Sequence, residues 1–288
     1  MRLGINLPSR QPDGSAPTVA QIMARAALIE RVGFDGIWIG DTVGRQTTPA
    51  PDALAWLLAA AAGTRHLELG TAVIQVPLRR PVELAQRLMT LHALSGGRFR
   101  AGLGAGSTRT DFDAVGVDFP ARFHTFAEAL PLIQRLCRGE RAGAAQLPPW
   151  PDTVGGPPIL IGGWHSRLWL KRAAQTYDGW LASAAFSSFN GLRAGLQRYR
   201  DAGGKRALVA TTSVDLRAPE APLDENERFT LVCGPESAAE RLARLAEVGF
   251  DDVLLTRGVH SEADLDEAAL GAIRALLPEP EVVRSVSQ

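Results

Sequence analysis

Cysteine is scarce in this sequence, which excludes the class of small proteins that disulfides hold together. Cys137 and Cys233 are the two cysteines in 288 residues, and they lie far apart with no CxxC pair. We therefore expect free thiols and a cytoplasmic protein. No apolar run approaches the roughly 20 residues that a membrane helix needs. The amino-terminal segment lacks the long apolar core of a signal peptide, and we expect no membrane partner.

Lysine is almost absent, and charge of one sign does not dominate. Lys171 and Lys205 are the only lysines, and neither falls at the end of a predicted strand, which disfavours a Schiff-base aldolase. The 31 Lys and Arg residues balance the 31 Asp and Glu residues, so the formal net charge is zero. Because no basic face is implied, nucleic acid is not an expected partner.

Several catalytic motifs are also missing from the chain. The GxSxG elbow, the Walker sequence and the dinucleotide-binding fingerprint do not occur. No HxH pair and no clustered carboxylates stand at predicted strand ends, so no metal site is expected. This small inventory of nucleophiles and metal ligands disfavours an enzyme that works without a cofactor.

A strand–helix–strand unit in the first half of the chain organises the prediction. Residues 67–73 are apolar and partly β-branched, which favours a buried strand. A helix follows between Pro81 and Ser95, and residues 99–103 form the next strand. The two strands should be parallel and adjacent. The glycine-rich exit at residues 104–107 predicts a corner where a flat ligand approaches the backbone.

Eight strand-like segments alternate with eight helical segments along the chain. The predicted strands are residues 3–7, 36–40, 67–73, 99–103, 158–161, 179–182, 207–214 and 253–256. This order predicts an α/β protein with a parallel sheet, and eight repeats favour a closed (β/α)8 TIM barrel. With no visible linker, we expect a single domain over residues 1–288. Loop insertions at the carboxyl-terminal face are predicted at residues 42–52, 107–121, 139–157 and 217–228.

In such a barrel the chemistry lies where strands end and loops begin. Residues 159–161 are followed by Gly162 and Gly163 and then by a helix start, where free N–H groups and the helix dipole favour a phosphate. The alternative is a tight glycine turn with Ser166 as a helix cap. His165 is a candidate phosphate donor or acid/base group, with a surface histidine as the alternative.

Asp41 and Trp38 each admit two interpretations. Asp41 ends the second strand, where its carboxylate could bind a cofactor ring or substrate, or could bind loop backbone as a turn residue. Trp38 could form the wall of an aromatic ligand site, but its place inside a strand favours the core. Other strand-end candidates are residues 6–9, Thr42, residues 72–75, residues 104–108, Ser183 and residues 257–260.

Several segments in this order resemble the bacterial luciferase-like flavin monooxygenase superfamily, which includes deazaflavin-dependent reductases and dehydrogenases. The resemblance covers nearly the whole chain and is strongest at residues 33–41, 69–81, 94–106, 116–122, 158–163 and 178–180. It implies a TIM barrel that binds FMN or coenzyme F420 at its carboxyl-terminal mouth. It also implies a non-prolyl cis peptide at Ala72–Val73 beneath the ring.

The resemblance further implies which residues contact the cofactor. Phosphate contacts fall on Gly162, Gly163, Trp164, His165 and Ser166, and Ala105, Gly106 and Ser107 flank the ring. The full cofactor-binding prediction is Asn6, Asp41, Ala72, Val73, Gln75, Gly104, Ala105, Gly106, Ser107, Gly162, Gly163, Trp164, His165 and Ser166.

Two departures from the family pattern concern the reaction. Many members have Asp-His after the second strand, where this chain has Asp41-Thr42. Deazaflavin-dependent sugar-phosphate dehydrogenases carry a glutamate after the glycines of the fourth strand, where this chain has Ser107. The cofactor site is therefore predicted to be retained without the familiar acid/base residues.

The function predicted from these observations is a flavin-dependent oxidoreductase. The first hypothesis is a monooxygenase that uses reduced FMN and oxygen on a small organic substrate, with a flavin reductase as a possible partner. Its predicted catalytic residues are Asp41, Thr42 and Ser107, which orient ring and substrate, and His165, which helps hold phosphate. The alternatives are F420-dependent hydride transfer and a flavin-binding protein without turnover. The family suggests a homodimer.

Overall fold

A computed structural model describes residues 1–6, 10–43, 50–148, 150–163, 166–257 and 266–277. Its strands are β1 (Arg2–Asn6), β2 (Gly36–Ile39), β3 (Glu68–Thr71), β4 (Ile74–Gln75), β5 (Phe99–Gly104), β6 (Ile159–Gly162), β7 (Gly179–Ser183), β8 (Ala207–Asp215), β9 (Leu231–Val232) and β10 (Asp252–Arg257). Its helices are α1 (Val19–Val32), α2 (Ala53–Ala62), α3 (Pro81–Leu94), α4 (Arg109–Val115), α5 (Arg122–Cys137), α6 (Arg167–Thr176), α7 (Phe189–Asp201), α8 (Pro235–Glu247) and α9 (Glu267–Arg274).

Within the described residues, eight of these strands close into a parallel barrel with helices between them. Their order around the barrel is β1, β2, β3, β5, β6, β7, β8 and β10, and β10 pairs with β1 to complete the ring. The short strand β4 pairs with β5, and β9 extends β8. The predicted TIM barrel is confirmed, and its closure brings the carboxyl ends of the strands to one mouth.

Local sequence explains where the first helices begin and end. Thr18 and Gln21 form a capping box at the start of α1, and Gly33 ends that helix in the left-handed conformation at φ 95°. Asp52 caps α2 by accepting from two backbone N–H groups. Pro81 occupies the first turn of α3, where its missing N–H costs nothing. The helix predicted between Pro81 and Ser95 is α3 in the structure.

The Trp38 side chain lies inside the barrel and is 1% exposed. This burial confirms the interpretation of Trp38 as a core residue. Its indole lies against Gly70, where an added methyl group would be 2.1 Å from Trp38 Cε3. Glycine on β3 is therefore what lets β2 direct an indole into the barrel. The other buried side chains of this inner cluster are Leu160, Leu181, Leu208, Ala210 and Leu254. They form the floor beneath the mouth.

A buried ion-pair network closes the opposite end of the barrel. The Arg206 guanidinium binds Glu68 at 2.7 Å and Asp252 at 2.8 Å, and Arg2 reaches Glu68 at 3.3 Å. Burial raises the pKa of Asp252. At Glu68, burial acts in the same direction, but the hydrogen bonds and charge of Arg206 outweigh it and lower the pKa. This end of the barrel is built for stability, as is typical of the fold.

One predicted loop is a helix in the structure. Residues 107–121 were expected to be irregular, yet they contain α4. The prediction failed because this short segment has no apolar periodicity, and tertiary contacts stabilise it instead. Asp111 and Phe112 are both fully buried, and Gly116 ends the helix at φ 70°.

Both cysteines are buried and free, as expected. Burial raises the pKa of Cys137 to about 11, so its thiol stays protonated and unreactive at neutral pH. Among the described residues, no helix has the length and apolar character required to cross a bilayer.

Candidate active site

A cavity of about 1380 Å³ opens at the carboxyl-terminal mouth of the barrel. It brings together the predicted site residues that the structure describes: Asn6, Asp41, Thr42, Ala72, Val73, Gln75, Gly104, Ala105, Gly106, Ser107, Gly162, Gly163 and Ser166. Trp164 and His165 lie outside the described residues, so their roles stay predictions. The further strand-end candidates Thr108, Ser183 and Arg257 also line this cavity.

The Ala72–Val73 peptide bond is cis, as the family resemblance implied. It divides the predicted strand at residues 67–73, so that β3 ends at Thr71 and β4 begins at Ile74. The Val73 side chain then lies between the ends of β5 and β6. A methyl group added at Gly104 would be 2.6 Å from Val73 Cγ2, and one added at Gly162 would be 2.7 Å from Val73 Cγ1.

This geometry corrects the predicted reason for the glycines. The glycine-rich exit at residues 104–107 predicts close approach of a flat ligand, but Val73 occupies the space beside Gly104, and also the space beside Gly162. The Gln75 side chain similarly occupies the space beside Gly106, which adopts φ 83°. A methyl group added at Gly106 would be 2.5 Å from Gln75 Oε1. The predicted site residues that the structure describes line one cavity, but Gly104, Gly106 and Gly162 serve the protein's own packing.

Asp41 is held by a two-point ion pair with Arg79. Arg79 Nη1 donates to Asp41 Oδ2 at 2.5 Å, and Nη2 donates to Oδ1 at 2.7 Å. The Asp41 side chain is 2% exposed, and its Oδ2 also accepts from the backbone N–H of Gln75 at 2.9 Å. The carboxylate therefore holds the backbone of β4 in place, which supports the turn-residue interpretation.

A second carboxylate, Asp111 on α4, organises the same corner. It is fully buried and accepts from Gln75 Nε2 at 2.6 Å, from Thr42 Oγ1 at 3.0 Å and from the Val43 N–H at 3.1 Å. Because Gln75 Nε2 also donates to Asp41 O at 3.1 Å, the orientation of its amide is determined. The two carboxylates thus hold three segments of the rim together.

The start of α6 forms the wall where the phosphate was predicted. Ser166 caps the helix, since its hydroxyl accepts from the Trp169 N–H at 3.3 Å. Trp169 packs on Phe126 of α5 with ring centroids 4.7 Å apart. Arg122, one turn before Phe126, also lines the cavity and lies over the Phe119 ring at 3.8 Å. A cation and a helix amino terminus therefore face the same cavity.

Sequence reasoning missed Arg79, Asp111 and Arg122 as site residues. Arg79 and Arg122 lie in segments that carry the family resemblance, so the resemblance is the signal that could have identified them. Asp111 had no such signal, because its partners Thr42 and Gln75 are 69 and 36 residues away in the chain.

Comparison with known proteins places the chain in a family. Residues 1–213 match the model of the family described as luciferase-like monooxygenase. The chain belongs to this family. It is 34% identical over 117 residues to 4-hydroxyprotoasukamycin monooxygenase of Streptomyces nodosus subsp. asukaensis, a match that covers 40% of this chain and 31% of the relative.

The family likeness extends to proteins that use different cofactors. The chain is 39% identical over 127 residues to an F420-dependent glucose-6-phosphate dehydrogenase of Beutenbergia cavernae, covering 42% of this chain and 38% of the relative. The matches thus span about a third of the length of these relatives. The fold matches the oxygenating constituent of 3,6-diketocamphane monooxygenase of Pseudomonas putida in complex with FMN, with TM-score 0.75, 18% identity, and coverage of 95% and 96% of the two chains.

Proposed function

We propose that this protein is a flavin-dependent oxidoreductase, a monooxygenase that uses reduced FMN and oxygen on a small organic substrate. The observation that carries the proposal is that the described residues predicted to bind cofactor line one cavity, with Arg122 and the start of α6 on its wall. Supply of reduced FMN by a separate reductase and assembly as a homodimer belong to the same proposal.

The donor set of this wall fits a phosphate. The N–H groups at the start of α6 and the dipole of that helix favour an anion, and Arg122 adds a full positive charge. Arg122 Nη1 donates to Phe119 O at 3.0 Å, and its stacking on Phe119 further orients the guanidinium. Gly163 and Ser166, just before the start of α6, line the same cavity as Arg122.

The opposite part of the cavity fits a flat ring system. Ala72 and Val73 form a shelf that the inner apolar cluster supports, and Ala105 and Ser107 form the rim beside it. When bound, FMN supplies the redox chemistry, and the barrel supplies its orientation and a pocket with little water.

The residues predicted to be catalytic divide into two groups. Asp41 and Thr42 are bound by Arg79 and Asp111, so in this proposal they hold the rim in position. Ser107 is exposed, and no described residue makes a hydrogen bond with its side chain, which leaves its hydroxyl available to ring or substrate. His165 keeps its proposed role at the phosphate.

F420-dependent hydride transfer is the second candidate, supported by the 39% identity to an F420-dependent dehydrogenase. Titration of the purified protein with FMN and with F420, followed by fluorescence, separates the two cofactors. Binding of FMN with reductant-driven oxygen consumption coupled to a substrate supports the monooxygenase. Oxygen consumption that stays uncoupled from every substrate tested would favour a flavin-binding protein without turnover. If the protein binds neither FMN nor F420, both the monooxygenase and the hydride-transfer proposals are overturned.

The phosphate seat is tested by comparing FMN with riboflavin, which lacks the phosphate. Arg122→Met should weaken FMN binding by roughly tenfold, because the variant lacks the positive charge that binds the phosphate. Riboflavin binding should be unchanged, since riboflavin has no phosphate. Arg109→Met is the control because Arg109 is an exposed arginine on the neighbouring helix α4. Equal losses for FMN and riboflavin would show that Arg122 does not contact phosphate.

A further inference from the structure

Two hydroxyl groups lie on the wall of the cavity away from the cis peptide. Ser183 is the last residue of β7, and Thr211 lies within β8, which is opposite β3 in the barrel. Their Oγ atoms are 2.8 Å apart, and both residues line the cavity. Neither side chain belongs to the proposed cofactor site.

A β-bulge directs Thr211 into the mouth. The register of β8 against β10 shifts between Val253 and Leu255, and Thr211 adopts the left-handed conformation at φ 57°. A β-branched residue rarely takes this conformation. Bulges next to functional sites commonly re-aim a side chain, and backbone outliers of this kind concentrate at ligand sites.

The hydrogen bonds around Thr211 determine the direction of its proton. Thr211 Oγ1 lies 2.7 Å from Ala210 O, which can only accept, and 3.4 Å from the Ala185 N–H, which can only donate. Thr211 therefore donates to Ala210 O. The Ser183 hydroxyl then donates to Thr211 Oγ1, so that only its lone pairs are left for a ligand. Ser183 thus presents an acceptor to the cavity.

The surroundings of this acceptor are apolar. Ala182, Ala185, Ala210 and Phe186 line the same wall, and the cationic residues among the described lining of the cavity are Arg10, Arg122 and Arg257. Arg257, at the end of β10, donates to Ala269 O near the start of α9 at 3.4 Å. An anionic oxygen would therefore meet the lone pairs of Ser183, whereas a hydroxyl or N–H group would find a partner.

We propose that Ser183 contacts the substrate and selects a mainly apolar molecule that carries a hydroxyl or N–H donor, and that Thr211 is the positioning residue that keeps Ser183 an acceptor. The identification of this ligand as the substrate rests on the proposed function. Donor recognition by Ser183 does not, and it is measured without cofactor.

The test uses two probes that share one ring system. 2-Naphthol carries a donor, whereas 2-methoxynaphthalene carries only an acceptor. Fluorescence titration of the full chain should show 2-naphthol binding about fivefold to tenfold more tightly than 2-methoxynaphthalene, the effect of one hydrogen bond. Ser183→Ala should remove this preference by weakening 2-naphthol alone. Equal affinities in the unmodified protein, or equal losses in Ser183→Ala, would overturn the proposal.

Thr211 is tested by variants that separate shape from hydrogen bonding. Thr211→Val keeps the branched shape but removes the acceptor for the Ser183 proton, so that Ser183 can also donate to a ligand. The ratio of the affinities for 2-naphthol and 2-methoxynaphthalene should therefore fall towards one. Thr211→Ser keeps the hydroxyl and should retain the preference. Loss of the preference in Thr211→Ser, with thermal unfolding unchanged, would overturn the positioning role.

Repeating the titration at saturating FMN distinguishes substrate from cofactor. If 2-naphthol still binds, the hydroxyl pair serves a second ligand, as proposed. If FMN displaces it, the pair serves the ring and the substrate assignment is wrong. If neither FMN nor F420 binds while the preference for 2-naphthol holds, the proposed function fails and donor recognition by Ser183 stands.

Discussion

The carboxylate of Asp41 and the guanidinium of Arg79 form a two-point ion pair inside the rim of the barrel. Both nitrogens of Arg79 donate, at 2.5 Å and 2.7 Å, and the two side chains are 2% and 15% exposed. A planar fork that matches a carboxylate in this way is specific to arginine. The pair, together with the hydrogen bond from the Gln75 N–H to Asp41, therefore joins the end of β2 to the segment that contains β4.

Removing one partner of this pair should strongly destabilise the protein. Asp41→Asn leaves the Arg79 charge buried and unpaired, and we expect the free energy of unfolding to fall by about 3 kcal/mol. Urea denaturation followed by circular dichroism measures the change. Arg80→Ala, next to Arg79 but exposed, should change stability by less than about 0.5 kcal/mol. An Asp41→Asn variant as stable as this control would show that the pair is not structural.

Adding a methyl group to Gly104 should create a conflict with Val73. The new Cβ would lie 2.6 Å from Val73 Cγ2, and we expect Gly104→Ala to cost about 2 kcal/mol of stability. A Gly104→Ala/Val73→Ala double variant should recover part of the loss, because the opposing methyl group is gone. Gly163→Ala is the matched control, since its Cβ would lie at an ordinary 3.6 Å from Trp169 Cβ. Strictly additive effects in the double variant would contradict the packing interpretation.

Asp111 should control how firmly the rim segment at Thr42 and Val43 is held. Asp111→Asn keeps the size of the side chain but places an amide donor where three donors converge. We expect a loss of about 2 kcal/mol of stability and faster hydrogen exchange at the Val43 amide. Asp113→Asn, on the exposed face of the same helix, should change neither quantity. Unchanged exchange at Val43 in Asp111→Asn would exclude the proposed anchor.

The ion-pair network at the base should make stability depend on acid pH. The pKa of Glu68 is lowered from 4.5, so its ionised form stabilises the folded state above that value and the contribution is lost as the pH falls further. Asp252, whose pKa burial raises from 3.8, opposes this effect in part. Urea denaturation between pH 7 and pH 3 should therefore show a shallower acid loss in Glu68→Gln than in the unmodified protein.

Glu83→Gln provides the control for this pH series, because Glu83 forms an exposed pair with Arg87 and should leave the slope unchanged. If Glu68→Gln and the unmodified protein lose stability in parallel below pH 4.5, the network does not carry the acid dependence.

The sequence by itself determined the alternation of eight barrel strands with helices, and it predicted which strand ends line the cavity at the mouth. Apolar strands, capped helices and glycine or proline boundaries are local signals, and eight repeats leave few architectures. The family resemblance added the cis bond at Ala72–Val73.

The tertiary structure alone decided which side chains meet at the mouth. Asp41 pairs with Arg79 across 38 residues, and Asp111 reaches Thr42 across 69, distances over which local patterns carry no information. The same holds for Gly104, where the sequence predicts room for a flat ligand and the fold places the Val73 side chain. Barrel closure creates these contacts, because it brings the ends of strands far apart in the chain to one rim.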